Sequence, residues 1–146
     1  MTDMKTKNLL ILFFIAMLLL AGYVYFFVYH KSHIDTFTAK PDFEIEAVEL
    51  FRQFTENEVT ANDMYLGTLL RVEGIVLSVD ESDGEVVAIR LDVDDILDAV
   101  VCEPDPIYKR EIPAINPGDR VVVQGVCTGF LNDVIINRCV VIELKN

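Results

Sequence analysis

The chain has 146 residues, enough for one small domain and an appendage but cramped for two. Apolar residues make up 52% of it, the mean hydropathy is +0.36, and the formal net charge is −12. So acidic a chain repels phosphate backbones and anionic headgroups, and on charge alone nucleic acid is disfavoured as a partner.

Residues 1–8 form a short polar tail carrying Lys5 and Lys7. Residues 9–29, LLILFFIAMLLLAGYVYFFVY, contain no charge. At about 1.5 Å per residue, a helix of this run spans roughly 30 Å, the thickness of a bilayer's hydrocarbon. Ala16, Ala21 and Gly22 imitate a cleavage site, yet apolar and aromatic residues continue through Tyr29, where a secretory signal would turn polar. A lipid-modified anchor would need Cys directly after Leu20-Ala21-Gly22, and Tyr23 stands there. The run is therefore expected to be retained as a single-pass signal-anchor, with Tyr23, Tyr25 and Tyr29 suited to the membrane interface. Lys5 and Lys7 precede it and Lys31 follows, so the positive-inside rule places the remainder on the extracytoplasmic side of the membrane. Three of the twelve bases and one of the 24 acids lie before residue 32, which leaves a net charge of −14 on residues 32–146.

Residues 30–40, HKSHIDTFTAK, read as a short linker. Pro41 suits a first helical turn, and Phe43, Ala47, Leu50, Phe51 and Phe54 recur at helical spacing. Residues 41–65 are thus expected to be a helix packing on the domain, with Thr55 and Glu58 marking a break before Tyr65. Beyond Gly67 the period changes to that of strands. TLLRVEGIVLSVD reads as a long strand with Gly74 at a bend, and Asp83-Gly84 as a hairpin turn. EVVAIRLDV and DAVVCEPD follow, then a proline-punctuated segment with room for a short helix at about 107–112. RVVVQGVCTGF puts Gln124 and Thr128 on one face and Val121, Val123 and Cys127 on the other; DVIINRCVVIEL is the last strand. The fold class is therefore mainly β: a five-stranded OB-fold barrel over 66–146, with a preceding helix and one N-terminal transmembrane helix.

Two stretches, NEVTANDMYLGTLLRVEGIV and NPGDRVVVQGVCTGFLNDVIINRCV, resemble a bacterial OB-fold family named for its likeness to the tRNA anticodon-binding domain. The resemblance rests on Asn57, Glu58, Ala61, Tyr65, Gly67, Val72 and Gly74 in the first. In the second it rests on Pro117, Gly118, Asp119, Val121, Val123, Gly125, Cys127, Gly129, Asp133, Val134 and Cys139. It spans about residues 48 to 143 and implies the fold. For activity it implies only a membrane-tethered or lipid-anchored exported domain without an assigned reaction.

OB-folds bind on the face of their second and third strands and between the loops joining strands one to two and four to five. In this sequence that marks Asp80, Glu81, Asp83, Arg90, Asp92, Phe130 and Asn132 as candidate ligand-binding residues. Phe130 is the only aromatic in those loops, and carboxylates outnumber bases. Asp92, Asp94, Asp95 and Asp98 could gather round a hard cation, but DESDGE departs from the EF-hand pattern. No Ser-His-Asp order, GxSxG, P-loop, HExxH or dinucleotide fingerprint occurs, and both histidines adjoin the apolar run. No enzyme, cofactor or metal site is therefore expected. The third and fifth barrel strands are neighbours, so Cys102 and Cys139 could form a disulfide; Cys127 with Cys139 is the rival pair. A last hairpin centred between Leu131 and Asn132 would set Cys139 opposite Gln124 and Cys127 opposite Ile136, which favours the first pair. The expected function is non-catalytic binding at the membrane to a protein or small molecule, with nucleic-acid binding and divalent-cation binding as alternatives.

Overall fold

The computed structural model describes residues 3–29 and 35–145, in two compact units that divide at residue 34. The first is one helix, α1 (Asp3–Tyr29). Its side chains are described at Asn8, 11–23 and Tyr25, and among the described residues no helix is long and apolar enough to cross a membrane. The span expected over 9–29 is thus not established by the structure.

The second unit is a closed barrel, and the longest strand shows why it closes. In β2 (Leu69–Ser82), Leu70, Val72 and Val76 point inward and are fully or almost fully buried. The first half of β2 pairs with β5 (Arg120–Phe130), from Leu69 opposite Val126 to Ile75 opposite Arg120. The second half pairs with β3 (Glu85–Leu91), from Val76 opposite Leu91 to Ser82 opposite Glu85. The handover falls beside Gly74, where a Cβ would come within 2.9 Å of the Ala47 Cβ and 3.3 Å of Leu91. Only glycine lets the strand bend so close to its neighbours. With β4 (Val100–Pro104) and β6 (Val134–Lys145) the circuit runs β2-β3-β4-β6-β5 and back to β2, β4 and β6 being parallel. Asp83 and Gly84 both have positive φ (54° and 77°), as a two-residue hairpin of this twist requires.

Two local expectations change. Phe43–Glu46 is not helical but forms a strand, β1, parallel to β2. Asp42 explains it: its N–H donates to the Leu69 carbonyl and its carboxylate accepts from the Leu69 N–H, both at 2.8 Å, so the entering chain is held extended. The helix begins at α2 (Ala47–Glu56), whose Ala47, Leu50, Phe51 and Phe54 are buried on the barrel. It breaks as expected before α3 (Glu58–Tyr65), but the cap is Asn57, whose side chain accepts from the Thr60 N–H at 3.1 Å. The Thr55 hydroxyl instead bonds back to helical carbonyls. Between β4 and β5 the short helix is a single 3-10 turn, Lys109–Glu111.

Of the expected linker, residues 30–34 lie outside the described residues, while 35–40 are strapped onto the barrel. Gln124, which is fully buried, donates from its amide to the carbonyls of Thr36 (2.6 Å) and Ala39 (2.9 Å), and accepts from Arg71 Nε at 3.0 Å. Phe37 stacks on Tyr108, and the Asp35 carboxylate accepts from the Tyr108 and Thr38 hydroxyls, each at 2.9 Å. Those two hydroxyls, Thr38 foremost, hold the Asp35 carboxyl below the usual carboxylate range. Gln124 does face away from the core strands' apolar side, but its polar group is covered by chain rather than by water.

Candidate ligand-binding face

Side chains alternate across a strand, so residues opposite one another in register share a face. Ser78 of β2 is opposite Arg90 of β3, Arg90 is opposite Val101 of β4, and Val101 is opposite Ile135 of β6. These four make a row across the outside of the barrel, and Arg90 is its one cation. The guanidinium is not loose. Arg90 Nη2 donates to Asp133 Oδ2 at 2.8 Å, while Asp133 Oδ1 accepts the Ala99 N–H at 2.7 Å. Both side chains remain part-exposed, Arg90 at 30% and Asp133 at 22%, so the pair orients Arg90 without sealing it from solvent. Val101 is buried and Ile135 half-buried, so the apolar surface the row shows beside its charge is that of Ile135. The β2–β3 hairpin lies at one end of β3 and the β5–β6 loop at the other, so the face is bounded at both ends. At the hairpin end, Lys109 hydrogen-bonds Glu85 at 3.0 Å and holds that carboxyl below the ordinary range.

Of the residues expected here, Arg90 occupies the centre, Asp80 lies opposite Ala88 on the same sheet, and Glu81 and Asp83 are exposed at the hairpin. Asn132 is exposed in the far loop, one residue from the Asp133 clamp. Asp92 and Phe130 are elsewhere. Asp92 follows the end of β3, gives its N–H to Ile75, and lines a cleft of about 90 Å³ with Glu46, Glu73, Asp94 and Arg120. The Phe130 ring stacks on Phe54 (centroids 5.4 Å apart) and meets Phe51 edge-on, so it holds α2 to the barrel. The residues missed by sequence reasoning were Asp133, Ser78, Val101 and Ile135. The strand period could have supplied Val101 and Ile135; the Asp133 clamp joins residues 43 apart and has no local signature.

The cation reading loses its geometric premise. It required Asp92 and Asp94 on one face of a strand, but β3 ends at Leu91 and Asp94 sits at φ 60°. Among the described residues no group of three or more His, Cys, Asp or Glu could hold a metal. The cysteines follow the register argument. Cys102 and Cys139 form a disulfide with Cα atoms 5.7 Å apart, and Cys127 faces Ile136. Gln124 faces Val140 rather than Cys139, because bulges near Gly125 shift the hairpin by one. Cys127 is a buried free thiol, and burial pushes its pKa up, away from thiolate chemistry.

A closed barrel of this strand order with a helix against one end defines an OB-fold domain. The tRNA_anti-like family model matches residues 4–141, and the chain belongs to that family. No curated protein matches it. Among solved structures, a candidate nucleic acid-binding lipoprotein from Klebsiella pneumoniae subsp. pneumoniae MGH 78578 aligns with TM-score 0.53 and 15% identity, over 68% of this chain and 91% of that one. The telomere capping protein Ten1 from Saccharomyces pombe aligns with TM-score 0.39 and 17% identity, over 73% and 80%. A structure of yeast Stn1 and Ten1 gives 0.42 and 10%, over 73% and 65%. The first of these is a likeness of fold.

These findings correct one expectation. Nucleic acid was disfavoured as a partner on net charge, yet the Klebsiella barrel of the same fold is itself a candidate nucleic acid binder. The expectation was drawn from a sum over the whole domain, which does not describe any one face: on the row through Arg90 the guanidinium and the Asp133 carboxylate form a pair.

Proposed function

We propose that the barrel is a binding module for single-stranded nucleic acid, held at the extracytoplasmic side of a bacterial cell membrane by residues 9–29. The observation that carries the binding half is the row Ser78–Arg90–Val101–Ile135, in which Asp133 presents the guanidinium beside apolar surface. Arginine so held can form paired hydrogen bonds to a base edge or a phosphate, and the half-buried Ile135 offers an apolar surface for a base. Membership of the tRNA_anti-like family and the likeness to the Klebsiella protein support this choice of ligand. The uncharged run of 21 residues from 9 to 29 supports the tether, and Lys5 and Lys7 support its orientation. The Cys102–Cys139 disulfide suits an oxidising compartment, which agrees with that side of the membrane. The strands bound would then be exported or arriving from outside.

With one cation on the row and a domain charge of −14, affinity must come from bases more than from backbone. Fluorescence anisotropy of a labelled single strand against the full chain in neutral detergent tests this. Arg90→Ala is expected to weaken binding about ten- to a hundredfold, the worth of a charge-assisted hydrogen bond. The salt dependence should be shallow, with log affinity falling by about 0.7 per tenfold salt for a single phosphate contact. Binding that survives Arg90→Ala unchanged would contradict the assignment.

A further inference from the structure

The barrel end at which β3 passes to β4 carries the three most exposed large apolar side chains of the described residues: Ile96 at 97%, Leu131 at 85% and Leu97 at 84%. Ile96 and Leu97 belong to the β3–β4 loop and Leu131 to the β5–β6 loop, and the two loops are joined. The Ala99 N–H donates to Asp133 at 2.7 Å, and the Val134 N–H donates to the Ala99 carbonyl at 3.1 Å. Within the first loop, Asp92 accepts from the Asp94 N–H at 3.1 Å and Asp95 from the Leu97 N–H at 3.0 Å. The aliphatic groups are therefore held out in water by a tied pair of loops, where they add nothing to the core. Apolar surface kept exposed by a fixed backbone is characteristic of a contact site. Its setting selects the partner: Asp94 and Asp95 are exposed and Asp98 half-buried around the tip, and neither 92–98 nor 129–133 contains a Lys or Arg.

We infer that this tip is a docking surface for another protein, one that offers an apolar pocket or stripe edged with lysine or arginine. The acid rim complements such a surface and repels both phosphate strands and anionic bilayers. Ile96 and Leu97 would be the anchors, since desolvated aliphatic groups at the centre of a contact carry its energy while the rim sets orientation. This surface adjoins the Arg90 row, with which it shares Asp133, but its inferred partner does not depend on what that row binds.

The test uses the full chain in neutral detergent and a fluorescein-labelled amphipathic helical peptide of leucine and lysine as probe. Two control peptides replace its leucines by serine or its lysines by glutamate. The inference predicts binding of the Leu/Lys peptide and at least tenfold weaker binding of both controls. Ile96→Ser with Leu97→Ser, which keeps every charge, is expected to weaken the Leu/Lys peptide tenfold or more. Asp94→Asn, Asp95→Asn and Asp98→Asn together should do the same. Because the two apolar side chains are solvent-exposed, the serine variant should keep its melting temperature. Equal binding of the serine-for-leucine peptide, or no loss in the Ile96/Leu97 variant, would overturn the inference. So would a matching loss of single-strand binding in that variant, since the tip would then belong to the Arg90 face.

Discussion

Removing the Cys102–Cys139 disulfide is expected to lower the stability of the barrel by about 4 kcal/mol, a substantial share of a small domain's margin. The bond closes a loop with a sequence separation of 37, and the chain entropy released to the unfolded state on opening such a loop gives this magnitude. Its placement adds to the effect. It joins β4 to β6, the parallel seam of the barrel, and β4 is only five residues long. Beyond Cys102 that ladder is already irregular, resuming only at Pro104 opposite Cys139. Both cysteines are buried in the core, so the cross-link ties the seam from within. Thermal melts of the full chain with and without reductant should differ by roughly 15 °C or more for a unit of this size. Cys102→Ala with Cys139→Ala should melt with the reduced protein and no longer respond to reductant. An unchanged melting temperature on reduction would show that the seam does not depend on the bond.

Phe54→Ala is expected to cost about 3–5 kcal/mol, the range for truncating a buried aromatic. Phe54 is fully buried on α2, with its ring 5.4 Å from that of Phe130 and 6.1 Å from that of Tyr65. It therefore bridges α2 to both the end of β5 and the end of α3. The void left behind cannot close easily, because Leu50 and Phe51 are fixed by the same helix and the strands below are tied in a ring. Denaturant unfolding of the variant should show the loss. Val59→Ala on α3, where the side chain is 73% exposed, serves as control and should change stability by no more than about 0.5 kcal/mol. Near-equal effects of the two would mean that α2 is not part of the folded core.

Neighbours along the chain decide the features that were legible in the sequence. Alternation in β2 and β5, the Asp83-Gly84 turn and the bend at Gly74 are local signals, and together they specify the barrel. The start of the helix was misread because Phe43 and Ala47 have helical spacing by coincidence. The hydrogen bonds that hold Phe43–Glu46 extended come from Leu69, 27 residues beyond Asp42. The sequence placed Gln124 on the polar face of its strand but could not show its cover, because residues 36–39 arrive from 85 to 88 residues away. The candidate face shows the same limit. Arg90 was visible as a base on the right strand, but the carboxylate that aims it is on another loop. Phe130, an aromatic beside a loop by sequence, packs against α2, because that helix brings Phe51 and Phe54 to it. Net charge is limited for a related reason, since a sum has no geometry.

The central claim is that the barrel binds a single strand across the row through Arg90. Its most direct test is an NMR titration of the isotope-labelled full chain, in neutral detergent, with a single strand of about eight nucleotides, within the span one OB-fold covers. The account predicts saturable shifts centred on Ser78, Arg90, Val101 and Ile135 and on the Ala99 amide that shares Asp133. No shifts at millimolar strand, or shifts confined to Phe43–Glu46 and α3, would contradict it.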